Sequence, residues 1–384
     1  MNAPHEALRR VQRAALGAGA VGLALSLVGA VAAPTQFLRS YLAAWLLVTG
    51  TSLGCIAILM INHVTGGAWG AMIRRILESG ARTLPVLAAL FLPLVLGAPR
   101  LWEWASAEAV ARDPVLQHKH VYLNLPFFLV RAGLYFFAWI TVTRYLTRWS
   151  LEQDATLDPL PAERLELVSR GGLVLMGLTM TFASIDWVMS LEPHWSSTIY
   201  GVVFMGGSVL SAFAFAIPVA VLLAQEPPLD QVITADRLHD LGKLLLAFVM
   251  LWAYFSFSQF LIVWAGNLPE ETPWYLARTR GGWQWIALAL AVFHFALPFV
   301  VLLSREVKQR ARTLATVAVA LVVMRVVDVF WLVKPAFRPA GFSLHWLDVA
   351  TVMALGGLWL ALVVRHLQEQ PLVPLHDPSL GMLA

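Results

Sequence analysis

The chain of 384 residues has one cysteine, Cys55, and it lies inside an apolar run. That excludes a disulfide within the chain and a cysteine-ligated iron–sulfur cluster, which takes four thiolates. Charge is scarce as well. Asp, Glu, Lys and Arg make up 13% of residues, about half the ~25% of an ordinary soluble domain. With 59% hydrophobic residues and a mean hydropathy of +0.71, a water-soluble globular fold is excluded. No polar stretch is long enough to enclose a core of its own. Facing buried histidines are also missing: His294 is inside an apolar run, His63 at the edge of one, and His194 and His345 at run ends. A b-type haem held by two histidines is therefore not expected, although Met or Lys can also serve as an axial ligand. The pI near 9.4 suggests nucleic acid as a partner, but the basic residues lie between apolar runs rather than along one face. Positive loops of a membrane protein account for them, and no nucleic acid is expected.

What is present is a series of ten apolar runs, each about the ~20 residues that a bilayer requires. They cover roughly 14–33, 41–61, 83–98, 122–146, 171–191, 201–224, 241–265, 283–303, 313–334 and 343–364. The fold class is an all-α integral membrane protein, a single polytopic domain over 1–384. The third run is short and carries Pro85 and Pro93. The first follows Arg9 and Arg10 and ends Ala30-Val31-Ala32, which has the look of a signal peptide. It is long for one, and it reads as a retained helix because keeping it satisfies the charge rule. Of the 27 Lys and Arg, seventeen then fall in segments on the side of the N-terminus, eight on the other side, and Arg131 and Arg325 within spans. The excess of positive charge places both termini in the cytoplasm.

The connecting segments differ in character. Residues 68–82 read as a short amphipathic helix, Trp69, Met72, Ile73, Ile76 and Leu77 against Arg74, Arg75, Glu78 and Arg82, lying in the cytoplasmic interface. The outer segment 99–121, with Trp102, Trp104, His118, Lys119 and His120, suits either a docking surface or a solvated loop. The acidic segment 149–170 reads as a solvated connection, and the tail after His366, with Pro371, Pro374 and Pro378, as irregular. No clear internal repeat is visible.

The stretch 179–201 organises the rest. Asp186 stands inside an apolar run, where a carboxylate costs about 2.5–3.5 kcal/mol on insertion scales and faces a protein interior or a wet cavity. The run ends in Glu192, Pro193, His194 and Trp195, a helix-to-helix turn at a membrane surface. By helical rise Asp186 lies about 9 Å, and Arg131 roughly 13 Å, below the outer end of its span. Arg325 and Asp328, spaced i, i+3, share a face of the ninth span at comparable depth. These four groups read either as a polar cavity or proton route, or as ion pairs that neutralise each other. His294 is either a hydrogen-bonded core residue or a proton carrier. In the seventh span Tyr254, Ser256, Ser258 and Gln259 form a polar centre, with His239, Asp240 and Lys243 at its inner end. Such side chains support a water file or bond neighbouring helices at about 0.6 kcal/mol each. Asn62 and His63, before Gly66 and Gly67, form another inner-edge polar group, with His63 a further candidate on a proton path.

The motifs Ser184-Ile-Asp-Trp-Val-Met-Ser-Leu-Glu-Pro-His-Trp-Ser-Ser-Thr-Ile-Tyr-Gly, Asn62-His-Val-Thr-Gly-Gly-Ala-Trp-Gly, Asp113-Pro-Val-Leu-Gln-His-Lys and Tyr254-Phe-Ser-Phe-Ser-Gln-Phe-Leu-Ile-Val-Trp-Ala-Gly-Asn-Leu-Pro-Glu-Glu resemble the ActF-type membrane subunit of alternative complex III, the bacterial quinol:cytochrome c oxidoreductase. The likeness covers roughly residues 60–335 and extends to the NrfD-like, polysulfide-reductase-type membrane subunits. It implies two four-helix bundles, spans two to five and six to nine, flanked by the first and last helices. The corresponding divisions are 1–40 for a peripheral N-terminal helix, 41–200 and 201–342 for the bundles, and 343–384 for the last helix and tail. It further implies residence in the bacterial inner membrane, no redox cofactor in this chain, and a scaffolding role that leaves room for a proton pathway or a bordering quinone or quinol. The implied partners are a paralogous NrfD-like subunit, an iron–sulfur subunit and haem c subunits. An independent secondary transporter would also carry buried charges and broken helices, and an inert structural subunit is the third reading.

The topology has a direct test. Single cysteines introduced at His194 and Gln309 should react with an impermeant maleimide from opposite faces of sealed vesicles. Reaction from the same face would overturn the charge-based orientation.

Overall fold

The structure is a computed structural model and describes residues 3–156, 158–224, 229–337 and 341–374. The expected irregular tail beyond residue 374 lies outside them. Among the described residues there are no strands, and ten helices are long and apolar enough to cross a membrane. In hydrocarbon each backbone N–H and C=O needs an internal partner, and the helix supplies it within one segment. The spans are Glu6–Ala32, Pro34–Thr65, Ala68–Leu96, Leu125–Ala155, Leu160–Leu191, Tyr200–Leu223, Ala235–Gly266, Trp283–Leu303, Ala311–Phe337 and Trp346–Gln368. Several starts are chemically marked. The side chain of Asn124 accepts from the Phe127 N–H, and that of Thr234 from the Arg237 N–H, each satisfying an otherwise orphaned donor. His345 and Asp348 form a reciprocal capping box at the start of the tenth span.

Two spans are broken, each at a proline. The third consists of Ala68–Ala81, Leu84–Ala89 and Leu92–Leu96, with Pro85 and Pro93 in the first turns of the second and third pieces, where a missing N–H costs least. The eighth carries a π-helical turn over Leu290–Ala296. Pro298 lacks the N–H that would bond the His294 carbonyl, which explains why the regular ladder is interrupted there.

Spans two to five form one bundle and spans six to nine another, with matching connectivity. In each, the first helix packs on the second and on the fourth, and the third closes against the fourth. Spans two and six make the seam between the bundles. There a Cβ on Gly54 would stand 2.1 Å from the Ser208 carbonyl oxygen, so only glycine allows that approach. Thr51 and Ser211 share a hydrogen bond of 2.7 Å across the same seam. The first and last spans lie side by side. They pair with each other through close backbone contact at Gly19, Gly22, Ala354 and Gly357, and the tenth rests on the second and third. Small residues serve this purpose in lipid, where packing rather than exclusion of water drives helix association.

The chain alternates direction, so segments 97–124, 192–199 and 267–282 gather on one side, held by Lys119 to the Pro193 carbonyl and Arg278 to Glu192. This is the His194 side; the Gln309 side is opposite. Two expectations for the Gln309 side change. The helix over 68–81 forms, but every residue from Gly70 to Ala81 is buried, so it is the first part of the third span rather than an interfacial helix. Its charges are answered from the segment expected to be solvated: Arg75 pairs with Glu78 and Asp154 and donates to Ser150, and Arg74 donates to Gln153. Amphipathic spacing identified the helix, but the partners of its polar face were distant in sequence.

Replacing Gly54 with Leu should force the seam apart and lower stability by about 1–3 kcal/mol, as overpacking does. A thermal unfolding scan of the purified variant checks this, and an unchanged midpoint would contradict the close approach.

Candidate functional site

Asp186 is fully buried at the last turn of the helical part of the fifth span. Arg131, on the fourth span, meets it in a two-pronged fork, Nε to Oδ2 and Nη2 to Oδ1, each at 2.8 Å. Tyr135, one turn on, donates its hydroxyl to Oδ2 at 2.9 Å. Arg131 also donates to the Tyr122 carbonyl at 3.0 Å, and its guanidinium lies 3.8 Å from the Tyr122 ring centroid. The carboxylate thus has three donors, and the depth estimate that placed Asp186 and Arg131 at similar levels corresponds to direct contact.

Asp186 itself has no exposed surface. Toward the His194 side lies a cavity of about 380 Å³ whose lining includes His118, Lys119, Tyr122, Ile185 and Ser190. Ser190 donates to the Asp186 carbonyl at 2.6 Å. Toward the Gln309 side, Trp187 packs against Trp45, Phe91, Phe136 and Trp139 with ring centroids 4.9–5.9 Å apart, and the three tryptophans are almost wholly buried. Trp139 of this cluster donates its indole N–H to Thr179 at 2.8 Å. At the cavity, burial first and the Asp186 charge second push the Tyr122 phenol well above its usual range, so it stays protonated. Burial pulls the Lys119 ammonium down, while its Nζ donates to the Pro193 carbonyl at 2.6 Å. At the rim Asp113 accepts from the Val115 and Leu116 amides and meets His194 at 2.8 Å. Desolvation opposes its charge, but those amides and His194 outweigh it and hold the carboxyl below the usual carboxylate range.

The second bundle carries a related group. Arg325 pairs with Asp328, and the Trp252 indole N–H donates to Asp328 at 3.1 Å. Arg325 lies flat on the sixth span, where a Cβ at Gly207 would fall 2.1 Å from its Nη1; glycine makes the space. His294 sits in the π-turn with its ring 4.3 Å from that of Trp252. Neither of its ring nitrogens has a hydrogen-bond partner, although it is completely buried. Buried histidines are normally satisfied, and π-turns are frequent at functional sites.

Other sequence candidates are not brought to either group. Asp240 and Lys243 form an exposed pair at the Gln309 end of the seventh span, and His239 stands half-buried beside them. The polar centre of that span does not form a single file: Tyr254 is 64% exposed on the outer surface, Ser258 is half-buried, and Gln259 points inward at 2%. The reason is the 3.6-residue period, which turns 254 and 259 to different faces. His63 stands half-buried at the Gln309 end of the second span, while its neighbour Asn62 caps the turn by donating to the Gly66 and Gly67 carbonyls.

Sequence reading missed Tyr135 and Trp252, which apolar context disguised, and two charged ties on the His194 side. Arg278, fully buried, binds Glu192 bidentately at 2.7 and 3.2 Å. Lys334 binds Asp348, which also accepts from Ser40 at 2.5 Å. A signal existed for both: Asp186 and Asp328 each stand six residues before a charged residue followed by proline, Glu192-Pro193 and Lys334-Pro335. Comparison with protein-family models and with curated proteins finds no match to this chain.

Removing one member of the buried pair should separate charge loss from shape loss. Arg131→Met strands the Asp186 carboxylate and should cost about 3–5 kcal/mol. Asp186→Asn keeps an isosteric acceptor for the guanidinium and should cost less than half of that. Thermal unfolding of both variants in detergent decides; equal losses would mean that the fork is not the principal tie.

Proposed function

We propose that this chain is a redox-inactive membrane subunit of a quinol:cytochrome c oxidoreductase complex of the alternative complex III type. In this reading it scaffolds the complex in the bacterial inner membrane, with both termini cytoplasmic, and exchanges protons between Asp186 and the periplasmic side. The electrons stay with its partners: an iron–sulfur subunit, haem c subunits and a paralogous NrfD-like subunit. The long motifs around Asp186, Asn62, Asp113 and Tyr254 support the family assignment.

The observation that carries the proton role is the burial of the Arg131–Asp186–Tyr135 group between an aromatic cluster and a cavity on the His194 side to which Tyr122 and Ser190, both bonded to Arg131 or Asp186, contribute. A buried acid in a spanning segment is a functional expectation by default. In this reading, quinol oxidation in a neighbouring subunit changes the field at the Arg131–Asp186 pair and moves a proton between Asp186 and the side on which Tyr122, Lys119 and His118 lie. The subunit itself does no redox chemistry and needs none for this task.

Native purification tests the assignment: haem c and iron–sulfur subunits should co-isolate with the tagged chain, whereas isolation as an independent solute carrier would overturn it. In the intact complex, Asp186→Asn should preserve assembly and reduce proton release or coupled turnover by severalfold. An assembled variant complex with unchanged turnover and proton release would leave only the scaffold role.

A further inference from the structure

Away from the groups described so far, two arginines stand on the outer surface of the fourth span at its Gln309 end. Arg144 and Arg148 are both exposed, and their i, i+4 spacing puts them on one helical face, a single turn apart. The acids around them are already answered. Glu152 meets Arg164 at 3.8 Å, Asp154 pairs with Arg75, and Glu166 pairs with Arg170. Asp158 and Glu163, the other acids of this connection, lie about two turns of helix or more beyond Arg148 and Arg170, away from the apolar runs. Among the described residues Arg144 and Arg148 are left without a carboxylate partner.

Two observations fix the depth of this pair. Tyr145 and Trp149 stack beside it with ring centroids 5.1 Å apart, and such amphipathic rings belong at the level of lipid headgroups. Toward the His194 side the same face continues as Phe137 and Leu134, both exposed. From Arg144 to Leu134 is about 15 Å of helix, half of the ~30 Å hydrocarbon thickness. The face therefore presents cations at the edge of one leaflet and apolar surface through that leaflet's depth. The fifth span adds a third cation at this level. A Cβ on Gly172 would stand 3.8 Å from Val142 Cγ1, so antiparallel packing sets the exposed Arg170 level with Arg144.

We propose that this face holds an anionic phospholipid from the leaflet on the Gln309 side, its phosphate against Arg144 and Arg148 and an acyl chain along Phe137 and Leu134. A guanidinium matches phosphate oxygens with paired, charge-assisted hydrogen bonds. A free phosphate would use the arginines and leave the apolar stripe idle, and an acidic protein segment has no need of apolar surface one leaflet deep. A phospholipid uses both. The site is independent of the redox assignment made above.

The test uses the full chain in phosphatidylcholine nanodiscs doped with a phosphatidylglycerol that carries a diazirine on its acyl chain. Crosslinks should concentrate on the fourth span between Leu134 and Trp149. Unlabelled phosphatidylglycerol should displace them, while phosphatidylcholine and inorganic phosphate should not. Arg144→Gln combined with Arg148→Gln should lower the yield there by about tenfold or more, at about fivefold per arginine, and the corresponding pair of lysine substitutions should keep most of it. Arg310→Gln, an exposed arginine elsewhere on the Gln309 side, should change nothing. Should the glutamine pair fail to fold, salt decides with the unaltered chain: higher ionic strength should cut the yield severalfold. A yield indifferent to salt or to the glutamine pair would overturn the proposal. So would equal displacement by phosphatidylcholine, the mark of unselective lipid contact, or displacement by inorganic phosphate, the mark of a solute site. Protection of both arginines from phenylglyoxal that survives delipidation of native membranes would show a protein partner on this face instead.

Discussion

A charge inside hydrocarbon must be answered by another charge or by aimed dipoles, and this constraint arranges the whole bundle. Four of the buried ion pairs cross between elements. Arg131 with Asp186 joins the fourth and fifth spans, and Arg75 with Asp154 joins the third and fourth. Lys334 with Asp348 joins the ninth and tenth, and Arg278 with Glu192 joins the two bundles. Pairs of this kind add little net stability over apolar packing, but breaking one is expensive. Their effect is to specify which helices are neighbours. In a membrane, where apolar faces are all alike to lipid, that specification matters more than it does in water.

The two bundles use one plan with different chemistry. Each has an acid near the end of its last helix, Asp186 or Asp328, followed six residues later by a charged residue and then a proline. In each case the later charge ties the helix end to another element, Glu192 to Arg278 and Lys334 to Asp348. The acids differ in surroundings. Asp186 is held by a guanidinium from a neighbouring helix and a tyrosine, near a cavity on the His194 side. Asp328 is held by an arginine on its own helix and an indole and borders an apolar one. The link between them is short: Glu192 lies six residues after Asp186, and its partner Arg278 ends the helix that roofs the apolar cavity.

The third and eighth spans show how local breaks serve this plan. Prolines segment the third span without breaking its continuity across the bundle, and the buried first piece brings Arg75 and Glu78 inside. In the eighth, Pro298 and the π-turn displace His294 from the regular ladder and set it against Trp252, beside the Arg325–Asp328 pair. An imidazole with both nitrogens unsatisfied is a costly thing to bury.

Hydropathy and its period determined a great deal without coordinates. The number of spans, the all-helical class and the like level of Asp186 and Arg131 all follow from the length of apolar runs and the rise of a helix, which are local quantities. The i, i+3 pairing of Arg325 with Asp328 was legible for the same reason. Tertiary structure decided what depends on separation along the chain. It turned 68–81 inward because Ser150, Gln153 and Asp154 were there to receive its charges. It put Tyr254 on the surface and Gln259 in a cavity, and it paired the first span with the last. Period and hydropathy say how deep a side chain sits and which residues share its helical face, but not which helix that face meets; contacts across dozens or hundreds of residues settle that, and they alone decide whether a buried charge is paired, capped or left to bind something else.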